Sequence, residues 1–393
     1  MTAPDRPVPA RRLAMVLWNG NVGGAEVFSA NLADRMRRDG TEVTIVFIGE
    51  TAPMDERLSA AAIPYRGLAF ARGRDVLRHP RSFASQIRDV GRDGALLIER
   101  GFMGVALRLG GYRGPLVSVE HGPLLFERQS LPAWRLLVRR TSRWVGARAI
   151  DAEVAVSDFM LERMREHAHA NRIERIQNGI DPEQFRPSPS HRSGEEDVLT
   201  VGFVGRLIAG KGVDRLIQAV ASAADQIAVR LLIAGDGPLR PSLESLAREA
   251  GADDEIEFLG LVEDIADFWG RVDVATVPSD ALVESFSMVT LEAMACGKAV
   301  IATRIGAIPE LVDDGRTGTL VVPGDMPALA RAMIDYAENS GLRRAHGEAG
   351  RTRAIEHFPI EHCARQYLAL FDEISQHPPG SDGPRASSGT SSL

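Results

Sequence analysis

The chain has 393 residues, 44% of them apolar and 25% charged, with a formal net charge of −7. That length accommodates two domains with separate cores, and the acidic balance speaks against nucleic acid as the main partner. Cys296 and Cys363 make neither a zinc-type cluster nor a disulfide framework, which points to a reducing compartment.

The start, MTAPDRPVPARRLAMVLWNG, holds only LAMVLW as an apolar core. That run is too short for a signal peptide or a membrane span, so a cytoplasmic location is expected. Residues 13–18 read as a first strand, followed by the turn NGNVGG and a helical pattern. Ala25, Phe28, Leu32 and Met36 recur at three- and four-residue steps, and Gly40 is a stop signal. VTIVFIG (43–49) is the next strand, with further apolar runs at 95–98, 115–120 and 152–157. Helical candidates at 83–90 and 134–145 fall between them. Strands alternating with helices predict a mostly parallel sheet covered on both faces. Residues 1–190 are therefore read as one Rossmann-like domain.

RPSPSHRSGEED (186–197) is rich in Pro, Ser and charge and reads as a linker. The pattern then restarts with VLTVGFVGRL, VRLLIAGDG, IEFLG, DVATVP, AVIAT and GTLVVP, a second parallel α/β domain over 196–358. One more amphipathic helix occupies about 360–375, and the tail 377–393 lacks apolar content and is expected to be disordered.

The stretch VPSDALVESFSMVTLEAMACGKAVIAT (277–303) carries the strongest chemical signal. It reads as strand, polar loop, helix and strand, with Glu284 on the loop and Glu292 eight positions later on the helix. Ligands of open α/β sheets bind at the carboxyl ends of strands, which is where Glu284 falls. GFVGRLIAGKGVDRLIQA (202–219) sets Arg206 and Lys211 around a strand-to-helix turn beside Gly210 and Gly212. Two cations near a helix start suit a diphosphate; a solvated pair of surface charges is the plainer alternative. NVGGAE (21–26) is the matching turn of the first domain, where Gly23 and Gly24 allow close backbone approach. Neither it nor GDGPLR (235–240) is a GxGxxG fingerprint, and a plain tight turn remains open for both.

His121 follows the strand run PLVSVE, placed to meet a ligand hydroxyl or phosphate, or simply to close a turn. No two aspartates stand two positions apart, so an Asp-x-Asp metal clamp is missing and metal-free chemistry is expected. Residues 134–148 combine Arg135, Arg139, Arg140, Arg143 and Arg148 with Trp134 and Trp144. Such a helix suits peripheral contact with the inner face of an anionic membrane, or packs on its own sheet with the arginines solvated.

Taken together, GRLIAGKG, the Glu-x₇-Glu block, GAIPELVDDGRTGTLVVPGD, NVGGAE, QNGID (177–181) and GDGPLR resemble the retaining glycosyltransferases of family 4, of GT-B fold. The resemblance spans most of the chain, and the Glu-x₇-Glu block is its most specific part. It implies two Rossmann-like domains with parallel sheets facing across an interdomain cleft. It also implies a nucleoside-diphosphate sugar donor, commonly uridine-linked, held mainly by the C-terminal domain without a divalent metal. Carried over by position, Arg206 and Lys211 bind the donor diphosphate, Glu284 contacts the sugar, and Glu292 holds the ribose hydroxyls. The backbone amides of Met288 and Val289 point at phosphate, Gly23 and Gly24 border the same group, and His121 lies near the sugar. Ser287 departs from the glycine usual at its position, which brings a side chain to the phosphate region.

The implied reaction is hexosyl transfer with retention to a hydroxyl of a glycan, a lipid-linked or a small natural-product acceptor. The N-terminal loops at 72–80, 99–103 and 124–132 would read that acceptor and carry no recognisable code. A nucleotide-sugar epimerase or other GT-B enzyme, and a non-catalytic two-lobed sugar-binding protein, are the rival readings.

Overall fold

A computed structural model describes residues 11–376 apart from 19, 21–22, 53, 69, 71–74, 99–100, 122–144, 167–171, 188–197 and 281–283. The linker proper, most of the basic run at 134–148, the loop 124–132 and the tail 377–393 lie outside the described residues.

The first sheet contains β1 (Arg12–Leu17), β2 (Glu42–Phe47), β3 (Tyr65–Gly67), β4 (Gly94–Ile98), β5 (Leu116–Glu120), β6 (Ala152–Ala155) and β7 (Ile173–Arg175). The second contains β8 (Leu199–Val204), β9 (Val229–Ala234), β10 (Ile256–Gly260), β11 (Val274–Val277), β12 (Ala299–Thr303) and β13 (Gly318–Val321). All described pairings between these strands are parallel, in the orders β3-β2-β1-β4-β5-β6-β7 and β10-β9-β8-β11-β12-β13. Parallel neighbours need crossovers, and the crossover helices cover both faces. This is why β4, β11 and β12 are buried along their whole length and read as continuous apolar runs. Each sheet reverses its order once, between β1 and β4 and between β8 and β11. Those two switch points are where an open α/β sheet forms a ligand crevice at its carboxyl edge.

Several bounds differ from the sequence reading for local reasons. The helix expected at 83–90 begins at Pro80, because proline lacks an N–H and suits the first helical turn. Strand β6 stops at Ala155, short of 157, since Ser157 Oγ already accepts from Met160 N at 3.1 Å and starts the next helix. Strands β3 and β7 are three residues long at the sheet edges, too short and exposed to show a period.

The last helix, Ile360–Gln376, lies against Gly24–Arg38 and the first sheet. Arg35 pairs with Glu361 at 3.3 Å, Arg11 reaches Leu368 O at 3.1 Å and Asp372, and Phe371 is buried beside Gly94 and Leu13. The chain reaches it through paired backbone bonds, Ile180 N to Phe358 O at 2.8 Å and Ile360 N to Ile180 O at 3.1 Å. One apolar cluster runs from β1 and β2 through Met288, Phe358 and Tyr367 to β12, so the two halves share a buried seam.

Candidate active site

The two loops that carry Lys211 and Glu284 leave adjacent strands, β8 and β11, at the second switch point. Their backbones interlock. Asp280 N donates to Gly210 O at 3.1 Å, and Gly212 presses on the β11 loop so closely that an added Cβ would lie 1.9 Å from Pro278 O. Its φ of +68° and that contact both demand glycine. The side chains then meet. Lys211 Nζ donates to Glu284 Oε1 at 2.6 Å, and Ser279 Oγ donates to the same oxygen at 2.7 Å. Neither bond uses Oε2. Glu284 is 6% exposed, and a carboxyl group so buried needs such hydrogen-bond partners to offset its desolvation. Its main chain is fixed too, with Glu284 O accepting from Ala307 N at 3.0 Å. Among the described residues Arg206 is exposed and without an ion-pair partner, at the exit of β8.

Helix Met288–Ala295 begins four residues beyond Glu284, so the N–H groups of Met288 and Val289 are free of intrahelical partners at its positive end. Gly24, the first residue of the opposing helix Gly24–Arg38, faces that end: a Cβ built on it would lie 4.0 Å from Met288 Cβ and Cγ. Gly23 caps that helix. The β1 turn of the first sheet therefore abuts the helix start of the second. Glu292, one turn further along and 8% exposed, faces Arg57 of helix Met54–Ala60 in the other half. Burial pushes the Glu292 carboxyl up to about 7, with Arg57 pulling the other way. Burial also lowers Arg57, which donates to Asn31 Oδ1 at 3.4 Å.

Family models match over both halves: "Glycosyltransferase Family 4" over residues 22–184 and "Glycosyl transferases group 1" over residues 199–339. An alpha-maltose-1-phosphate synthase of Mycolicibacterium smegmatis is 31% identical over 266 residues, 60% of this chain and 67% of that protein. The chain belongs to the family 4, group 1 glycosyltransferases. N-acetyl-alpha-D-glucosaminyl L-malate synthase of Bacillus anthracis is 28% identical over 277 residues, 69% of this chain and 71% of its own. The solved structure of Anabaena Alr3699/HepE in complex with UDP-glucose superposes with a TM-score of 0.78 at 22% identity, covering 92% of this chain and 99% of that one. The fold is accordingly GT-B, and the chain is an enzyme of glycosyl transfer and not a passive two-lobed binder.

In this glycosyltransferase the remaining expected residues lie as follows. His121 sits just past β5, its ring edge-on to Phe28 at 5.9 Å between centroids. Its Nε2 is buried and, among the described residues, has no hydrogen-bond partner. Desolvation lowers its pKa to about 4, so the imidazole is neutral near pH 7. Because the folded pKa is depressed from 6.5, its contribution to stability is present above pH 6.5 and is lost as pH falls toward 4. Replacing His121 with Gln is expected to remove that acid-side loss, read as a flatter melting-temperature profile between pH 6.5 and 4. A wild-type activity profile governed by a His121 inflection near 6.5 would contradict the neutral imidazole.

Ser287 stands at the N-cap of Met288–Ala295. Its Oγ accepts from Thr290 N at 3.4 Å and from Thr290 Oγ1 at 2.8 Å, capping Met288–Ala295. Ser279, Arg57 and the interlocking Asp280 were not singled out by sequence. Ser279 and Asp280 lie inside the quoted block and look like ordinary loop polarity, while Arg57 has no local pattern at all. Among the described residues no group of three or more His, Cys, Asp or Glu is disposed to hold a metal ion, and no helix is long and apolar enough to cross a membrane.

Proposed function

We propose that this glycosyltransferase moves a hexose-type sugar from a nucleoside-diphosphate sugar, UDP-linked by preference, to a hydroxyl of a glycan, lipid-linked or small natural-product acceptor, with retention of configuration. The observation that carries the reading is the convergence at one switch point of Lys211 on Glu284, with Arg206 at the exit of β8 and the helix start at Met288 and Val289 opposite Gly23 and Gly24. Cations and free N–H groups suit a diphosphate, and a buried carboxylate beside them suits sugar hydroxyls. The UDP-glucose complex of the Anabaena protein of like fold supports a uridine donor.

On this reading the acceptor oxygen attacks the anomeric carbon from the face that the diphosphate leaves. The carbon–oxygen bond to the β-phosphate breaks as the new glycosidic bond forms, and the departing phosphate oxygen takes the acceptor proton. Arg206, Lys211 and the Met288 and Val289 amides stabilise the charge that develops on the diphosphate. Glu284 orients the sugar, and Glu292 accepts from the ribose hydroxyls. The N-terminal domain (1–190, completed by the last helix) presents the acceptor, and the C-terminal domain (196–358) holds the donor.

Incubation with a panel of nucleotide sugars tests this. Slow hydrolysis of one UDP-sugar, with the released sugar showing retained anomeric configuration in early NMR spectra, is expected. Interconversion of the donor sugar without release would favour an epimerase, and consumption of none of the panel would overturn the reading.

A further inference from the structure

We propose that Glu310 is a positioning residue that sets the relation between the two halves of the active site, by holding the loop of Glu284 against the N-terminal domain. This rests on the donor reading of that loop. Glu310 belongs to the short helix Ile308–Leu311 after β12, and its carboxylate crosses the domain boundary. Oε2 accepts from Asp158 N at 2.9 Å and Oε1 from Phe159 N at 2.8 Å. These are the first two N–H groups of helix Asp158–Glu166, which have no intrahelical acceptor and carry partial positive charge. A carboxylate with one oxygen for each is therefore a cap supplied by the other domain.

The same helix end is held at a second point. Ser157, fully buried, accepts from Met160 N at 3.1 Å and donates to Ser285 O at 2.7 Å. Ser285 is the neighbour of Glu284. Glu310 also takes Gln177 Nε2 at 3.2 Å, from the segment that leads to the Ile180 crossover. Behind it, Arg353 donates to Glu310 O at 2.9 Å and Leu311 O at 2.8 Å. Ala307 N, just ahead of the short helix, donates to Glu284 O. Glu310 and the Glu284 main chain are thus parts of one rigid unit, and that unit is pinned to the strand exit of β6. Ion pairs on the surface tune stability weakly; a two-oxygen cap between domains fixes direction as well as distance.

Glu310→Gln keeps the shape but turns an amide N–H₂ toward a backbone N–H. The probe is the nucleotide sugar that the wild type hydrolyses fastest in the panel above, together with its nucleoside diphosphate. The expected result is a hydrolysis kcat about 10- to 100-fold lower, as for a misplacement near 1 Å, with affinity for the nucleoside diphosphate within about twofold of wild type. Ser157→Ala should give the same split. The double variant should fall short of the product of the two effects, because both residues hold one helix end. Small-angle scattering should show a larger radius of gyration in Glu310→Gln. Unchanged kcat, or loss of kcat and nucleotide affinity in equal proportion in both single variants, overturns the proposal. If Glu310→Gln does not fold, Ser157→Ala is read by the same criteria. A wild type that consumes no nucleotide sugar overturns the donor reading and this proposal with it, whereas an active wild type with unsplit variants overturns this proposal alone.

Discussion

Replacing Lys211 with alanine is expected to lower kcat about 10²- to 10³-fold, the loss typical of removing one donor aimed at developing charge. Two consequences of the substitution have to be separated. Lys211 lies on Glu284 at 2.6 Å, and Glu284 is buried, so the alanine variant leaves a carboxylate that keeps the Ser279 hydroxyl as donor but loses its ammonium. An under-satisfied buried charge costs about 1–3 kcal/mol, discounted here because a quarter of the Lys211 side chain is exposed. A lower melting temperature should therefore accompany the kinetic loss. Adding Glu284→Gln removes the charge that needs compensation, and the melting temperature of the double variant should return toward wild type. Turnover should not return, since the amide supplies no cation to the leaving diphosphate. Near-normal kcat in Lys211→Ala would sink the diphosphate role, and Lys211→Arg, which keeps the charge at a different reach, should fall between the two.

The same pair shows what the sequence discloses and what it withholds. Glu284 and Lys211 were legible because parallel strands buried on both faces write themselves as apolar runs, and the polar residues straight after such runs must lie at a carboxyl edge. That they touch was not legible, because strand order decides it: β8 and β11 are neighbours only at the switch point. Helix Ser340–His357 escaped for a different reason. Its buried stripe is His346, Gly347, Gly350 and Ala354, a polar ring and three small residues in place of a large apolar face. At Gly347 an added Cβ would stand 2.2 Å from Gly297 O, so the helix is placed by close backbone approach and leaves no period to find. Ser287, at a position where the family has glycine, also shows in sequence the Ser-x-x-Thr of an ordinary helix cap ahead of an apolar run. The residues that join the halves show no local sign of doing so: Arg57, toward Glu292, lies in no motif, and Glu310, although inside the GAIPELVDDGRTGTLVVPGD block, carries nothing there that points to Asp158 and Phe159. Their partners are distant in sequence, and only tertiary packing brings them together.

Glu292 should make the enzyme's affinity for donor depend on pH near neutrality. Burial raises its carboxyl from 4.5 to about 7, and Arg57 offsets only part of that penalty. A raised carboxyl pKa favours the folded state while the group is protonated. Its contribution is fully present below pH 4.5 and is lost as pH rises through 7, amounting to about 3 kcal/mol at most. Glu292→Gln cannot ionise, so its stability should be flatter across this window and higher than wild type at pH 8. Function should move the opposite way. On the proposed ribose role, the ionised carboxylate would accept from two hydroxyls, whereas the protonated form would spend one oxygen as a donor. Wild-type donor KM should therefore fall as pH rises through 7, and in Glu292→Gln it should be about 10- to 100-fold higher and nearly independent of pH, as for loss of a charged acceptor. Arg57→Gln removes the counter-charge and should shift the wild-type midpoint to higher pH. By linkage, bound nucleotide must lower the Glu292 pKa, so saturating nucleoside diphosphate should protect the wild type most above pH 7. Protection that is equal at pH 6 and pH 8, or a pH-dependent KM that survives in Glu292→Gln, would assign the ribose to another group.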